Sequence, residues 1–234
     1  MTLIAFIGIA SGVAQASTPI DLAVPVDHVY SPTGFDTNDK TEIIISGFLP
    51  NLCHKSPKTE IKITGTKVDI KLSSLYYQPT DYFCPEAIVP FVEVVSLGLL
   101  NKGNYEITVN GNTPYETKGE ILINDSISNA VDERIYARVD YVDKSNGTRT
   151  VELKGYNPSD CFVLDEIKTV SNNKDTLSVL PIMKQVSSFC PRKMVPFSYQ
   201  YNVPKSLEFE KILLHVRSME GKSVNSLFDN TIER

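Results

Sequence analysis

The chain has 234 residues and a formal net charge of −5, with its Lys and Arg spread along the length, so it lacks the basic footprint of a nucleic-acid binder. Val, Ile, Thr, Tyr and Phe abound between 14 Pro and 12 Gly, a composition that favours strands and turns. No apolar run approaches the roughly 20 residues that cross a bilayer, and no membrane insertion is expected after removal of a leader.

Taken in chain order, Met1 to Ala16 is an apolar run closed by Ala14-Gln15-Ala16. That pattern predicts a signal peptide over 1–16 with cleavage before Ser17, although no Lys or Arg precedes the run. A buried N-terminal strand or helix is the competing reading. Strand-like runs then alternate with turn signals: Val26–Tyr30, Thr41–Ser46, Glu60–Thr64, Lys67–Leu72, Ile88–Val95, Tyr105–Val109 and Glu120–Asn124. Val68, Ile70 and Leu72 alternate with Asp69 and Lys71, which buries one face and wets the other. Gly65 marks a hairpin. Tyr105, after Asn101-Lys102-Gly103-Asn104, reads either as a tyrosine corner or as an ordinary buried strand Tyr. Beyond a polar stretch, 125–132, come Arg138–Val142, Thr148–Lys154, Lys211–Val216 and Ser223–Asp229.

An internal repeat organises this list. Gly47-Phe48-Leu49-Pro50-Asn51-Leu52-Cys53 is echoed by Gly155-Tyr156-Asn157-Pro158-Ser159-Asp160-Cys161. Phe83-Cys84-Pro85 followed by Val89-Pro90-Phe91 is echoed by Phe189-Cys190-Pro191 followed by Val195-Pro196-Phe197. A period of about 107 residues is domain-sized, against about 20–50 for a solenoid unit. The repeat predicts disulfides Cys53–Cys84 and Cys161–Cys190, one per copy. An even Cys count in an exported chain agrees. The expected architecture is all-β: two tandem immunoglobulin-like β-sandwich domains over 17–124 and 133–234, joined by the linker 125–132. With no Trp in the chain and each first Cys just after a Pro, the disulfides are expected to staple loops at one end of each sandwich.

Copy one, at its G-x-L-P-N-x-C, F-C-P and Leu100 to Gly111 stretches, resembles an extracytoplasmic bacterial Ig-like module with one disulfide and no assigned biochemical function. The resemblance implies a fold and a compartment, periplasmic or secreted, and carries no catalytic residues.

Chemistry is sparse. His28, His54 and His215 lie far apart, and the Cys are committed, so neither a metal nor a cofactor is expected. Gly221-Lys222-Ser223 lacks the earlier glycine of a P-loop and reads as a turn. Asp36, Asn38, Asp39 and Glu42 offer oxygens to Ca²⁺ but fit an Asx-rich turn as well. The segment Leu75 to Cys84 carries Tyr76, Tyr77, Tyr82 and Phe83, and is either a binding loop or a cap folded onto its own sandwich. Copy two has Leu180 to Val186 there, without aromatics, and Lys184, Arg192 and Lys193 nearby. The expected role is non-catalytic: an exported binding or structural protein whose partner is an unknown protein or envelope component. Alternatives are an inhibitor of an extracellular or periplasmic enzyme using the aromatic loop, and a pilus-type periplasmic chaperone.

Overall fold

The computed structural model describes residues 18–78, 83–130, 132–145, 147–205 and 207–232. The expected signal peptide and Tyr82 lie outside them. The N-terminal half holds β1 (Ile20–Ala23), β2 (Val26–Tyr30), β3 (Phe35–Asp36), β4 (Thr41–Leu49), β5 (His54–Thr64), β6 (Lys67–Tyr76), β7 (Val89–Gly98), β8 (Gly103–Val109) and β9 (Thr117–Asn124). The C-terminal half holds β10 (Val139–Lys144), β11 (Thr150–Asn157), β12 (Phe162–Ser171), β13 (Thr176–Gln185), β14 (Val195–Asn202), β15 (Lys211–Ser218) and β16 (Lys222–Asp229). The protein is all-β, and no helix among the described residues is long and apolar enough to cross a membrane.

Each half is two facing sheets. In the first, β2-β4-β7 opposes β1-β6-β8-β9-β3, with β5 on the free edge of β6; in the second, β10-β11-β14 opposes β12-β13-β15-β16. The pairings recur in order. β4 with β7 and β11 with β14 are antiparallel, as are β5 with β6 and β12 with β13. β6 with β8 and β13 with β15 are parallel. Those parallel pairs depart from the antiparallel sheets of an immunoglobulin sandwich.

Alternation supplies the cores. Ile43 and Ile45 of β4, Val68, Ile70 and Leu72 of β6, and Ile107 and Val109 of β8 fill the first. Val151, Leu153, Ile212, Leu214 and Val216 fill the second. Tyr105 makes the corner bond, its hydroxyl donating to the Asn101 carbonyl at 3.1 Å.

The repeated glycine has a structural reason. β2 shifts register between Val26 and His28 opposite Gly47, and β10 shifts between Val139 and Tyr141 opposite Gly155. A Cβ on Gly47 would collide with the Pro25 carbonyl and the Phe91 ring, and one on Gly155 with the Arg138 carbonyl. Each bulged carbonyl accepts the N–H of the residue after the glycine, Phe48 at 3.3 Å and Tyr156 at 3.2 Å. Only glycine lets the bulged strand come so close.

Two segments differ from expectation. β6 continues through Tyr76, so Leu75 and Tyr76 belong to a strand. β13 runs to Gln185, so most of Leu180–Val186 is strand as well. Its Thr176 to Met183 are buried throughout, and a strand covered on both faces loses the alternation by which strands are recognised. Pro181 sits inside it opposite Ile167, where its carbonyl accepts the Ala137 N–H at 2.9 Å.

Candidate functional site

The expected disulfides form, Cys53–Cys84 and Cys161–Cys190, with Cα–Cα separations of 5.9 and 5.5 Å. Each first Cys sits in a turn after a strand, posed by a side chain two residues back. The Asn51 Oδ1 accepts the Cys53 N–H at 3.0 Å, and the Ser159 Oγ accepts the Cys161 N–H at 3.2 Å. The chain leaving the hairpin bonds the same cysteine in both halves: Tyr77 N–H to the Cys53 carbonyl, 3.0 Å, and Val186 N–H to the Cys161 carbonyl, 2.8 Å. Neither bridge belongs to a hydrophobic core cluster; both staple one end of their half. Two such bonds indicate an oxidising compartment.

The candidate aromatic residues separate here. The Tyr76 ring rests against His54, centroids 4.9 Å apart, and Lys55 lies over the Tyr77 ring at 5.6 Å. Both rings are half-buried against the start of β5. His54 donates or accepts at 2.6 Å with the Ser74 hydroxyl, and burial lowers its pKa. Phe83 behaves differently: it is 77% exposed beside Cys84, and Ile88 is 70% exposed. At the same motif positions of the second half, Phe189 is 79% and Met194 69% exposed. Sequence reasoning weighted Tyr76 and Tyr77 and passed over Ile88, Phe189 and Met194. The signal for them was the repeat itself, which keeps a large apolar residue at both positions.

A second assembly of functional-looking groups lies between the halves. β4 buries both faces; Ile44 points away from its own core and meets Tyr30 and Leu213. Beside it Glu42 accepts hydrogen bonds from His215 Nε2 at 3.1 Å, Asn225 Nδ2 at 3.0 Å and the Ser223 hydroxyl. Burial pushes the Glu42 carboxyl up, but these donors prevail and hold it at about 2. Burial pushes His215 below its ordinary value, so it is a neutral donor to an ionised Glu42. Arg217 pairs with Asp39 and, at 3.1 Å, with Asp132, its guanidinium over the Phe35 ring. The Asp36 side chain accepts the Asn38 N–H at 2.9 Å, an Asx turn. The carboxylates of Asp36, Asp39 and Glu42 are thus turned to the other half or to their own loop. Among the described residues no group of three His, Cys, Asp or Glu is placed to hold a metal.

The stretch 126–130 is pinned too: Thr37 donates to the Ser126 hydroxyl at 3.0 Å, and Asn38 Nδ2 donates to the Ser128 and Ala130 carbonyls. At the edge of this interface an open groove of about 1080 Å³ runs past His28, Glu106, Asn172 and Phe209. His28 Nε2 lies 2.5 Å from the Asp175 carboxylate, a base with an orienting partner. Among the described residues the hydrogen-bond partner of the His28 ring is Asp175, and the ring also lies edge-on to Tyr30, centroids 4.5 Å apart.

No curated protein and no solved structure matches the chain. Residues 43–121, from the second residue pair of β4 into β9, match the family model of the ORF11 beta-sandwich domain; over that stretch, the chain is similar to an ORF11 beta-sandwich.

Proposed function

We propose that this is an exported, non-catalytic binding or structural protein of the bacterial envelope or extracellular space, built from two duplicated immunoglobulin-like modules whose stapled ends are its contact surfaces. Duplication is supported by the recurring strand pairings, bulges and glycines. The parallel pairs make the module a variant of the immunoglobulin pattern. One observation carries the functional reading: Phe83 with Ile88 and Phe189 with Met194 stand in water at matching positions beside the two disulfides. Single exposed apolar residues are ordinary, but a repeated aromatic and aliphatic pair on a cross-linked loop has the make-up of a contact surface. The exposure of Phe83 next to a disulfide suits an enzyme inhibitor as well, with that ring entering a cleft.

The test is retention of partners from envelope extract and culture medium by the oxidised protein. The pairs Phe83→Ser/Ile88→Ser and Phe189→Ser/Met194→Ser should each lose a bound species, since truncating an anchor costs about 2 kcal/mol or more. Undiminished retention by both variants overturns the reading.

A further inference from the structure

The two stapled ends repeat one exposed apolar pair and differ in the exposed charge between its members. Between the exposed apolar residues, the first half carries Glu86 where the second carries Arg192. Both side chains are exposed, and neither forms an ion pair within the described residues. Of the other charges nearby, Lys193 lies 3.2 Å from Asp160 and Lys184 lies 2.9 Å from Asp165, while Lys55 keeps its charge over the Tyr77 ring. Val186, 57% exposed, widens the apolar ground of the second end.

Both ends point away from the contact between the halves. In β4 the interface residue Glu42 and the strand end at Leu49 are about 23 Å apart at roughly 3.3 Å per residue. In β13 Ser178, whose hydroxyl donates to the Thr33 carbonyl of the first half, is about as far from Gln185. Each end is therefore left free when the halves are docked.

We propose that the occupant of each stapled end is the unlike end of a second copy of this chain, giving head-to-tail association. This rests on the reading of the stapled ends as contact surfaces and names their partner. Like ends would set Glu86 against Glu86 or Arg192 against Arg192, which repel across an apolar contact. Unlike ends set Glu86 against Arg192 and Phe83 with Ile88 against Phe189 with Met194. The charge pattern thus selects one pairing and opposes the other two. A contact between different patches is heterologous, so it gives a ring where the rotation between copies closes and an open chain of copies where it does not.

The full chain is expressed with export intact, recovered oxidised, and followed by sedimentation velocity across a concentration series at low and moderate salt. Species larger than the monomer should grow with concentration and recede with salt. Glu86→Arg alone and Arg192→Glu alone should each weaken association at least ten-fold, and the double reversal should restore it. Phe83→Ser and Phe189→Ser should each be monomeric alone, and mixed they should give a dimer and nothing larger, because each supplies the end the other has lost. A monomer at every concentration, or a double reversal no better than the singles, overturns the proposal. Retention of an envelope partner that depends on Phe83, by a protein that stays monomeric, likewise ends self-association and leaves the contact-surface reading standing.

Discussion

Between its halves the molecule buries Arg217, Asp39 and His215 with a half-buried Glu42, while at its stapled ends it leaves Phe83, Ile88, Phe189 and Met194 in water. Solvent alone would arrange the opposite. The comparison separates two ways of meeting a desolvation cost. In the interface every charge has a partner, so the penalty of burial is offset inside the chain. At the ends the apolar residues have no cover among the described residues, and the gain of burying them remains available to something else. Charge at the interface sets which surfaces of the chain meet. Apolar exposure at the ends marks where they meet others.

The largest effect that breaks this contrast is expected at Arg217. Arg217→Met leaves a buried Asp39 and a half-buried Asp132 beside an apolar chain, and losing one partner of a buried pair costs about 3–5 kcal/mol. A denaturant midpoint should fall accordingly, and Asp39→Leu added to Arg217→Met should recover much of the loss. A loss below about 1 kcal/mol would mean that the interface opens in solution.

Acidification should act next. The folded His215 has a lowered pKa, so the unfolded or undocked chain binds the proton more readily. Stability is then present above the unfolded value of 6.5 and is lost as pH falls below it. Glu42, held at about 2 against 4.5, adds a second loss between those two values. Asp132, raised by burial, works against that second loss. Between pH 7.5 and 5.5 His215 titrates together with His54, whose pKa burial also lowers, and both remove stability as the pH falls. His215→Gln keeps a donor for Glu42 and should flatten this slope in part; an unchanged slope would assign the effect elsewhere.

The smallest effect is expected at the ends. Phe83→Ser and Phe189→Ser should shift the melting of the isolated protein by about 0.5 kcal/mol or less, as exposed substitutions do. Tyr76→Ser with Tyr77→Ser should cost more, because both rings pack on β5. Equal costs for the two sets would show that Phe83 is covered in solution, and the contrast between interface and ends would vanish.

Much of the fold was legible. Val68, Ile70 and Leu72 announced β6, the paired motifs announced both disulfides, and Asn101 to Tyr105 offered the corner as one of two readings. What escaped was long-range or two-sided. The run Ile43-Ile44-Ile45 and the stretch Ile212 to Arg217 read as ordinary core strands, yet their alternate residues face the other half. Asp39 and Arg217 are separated by 178 positions, and no local pattern pairs them. β13 was missed because burial on both faces removed its period and Pro181 argued against a strand. For the ends, the sequence located the loop but gave no way to tell a half-covered Tyr77 from an exposed Phe83.

The distance along the chain between Asp39 and Arg217 has a bearing on how the protein comes into being. Chains emerge N-terminus first, and domains fold as units while the remainder is still being made. The outer face of β2 and β4 is therefore complete long before β15 and β16 exist to cover it. An apolar face would spend that interval sticking to its neighbours. Asp39 and Glu42 keep this face hydrated around Tyr30 and Ile44, and that water is given up only when Arg217 and His215 arrive. The charges of this contact protect the unfinished molecule before they join the finished one.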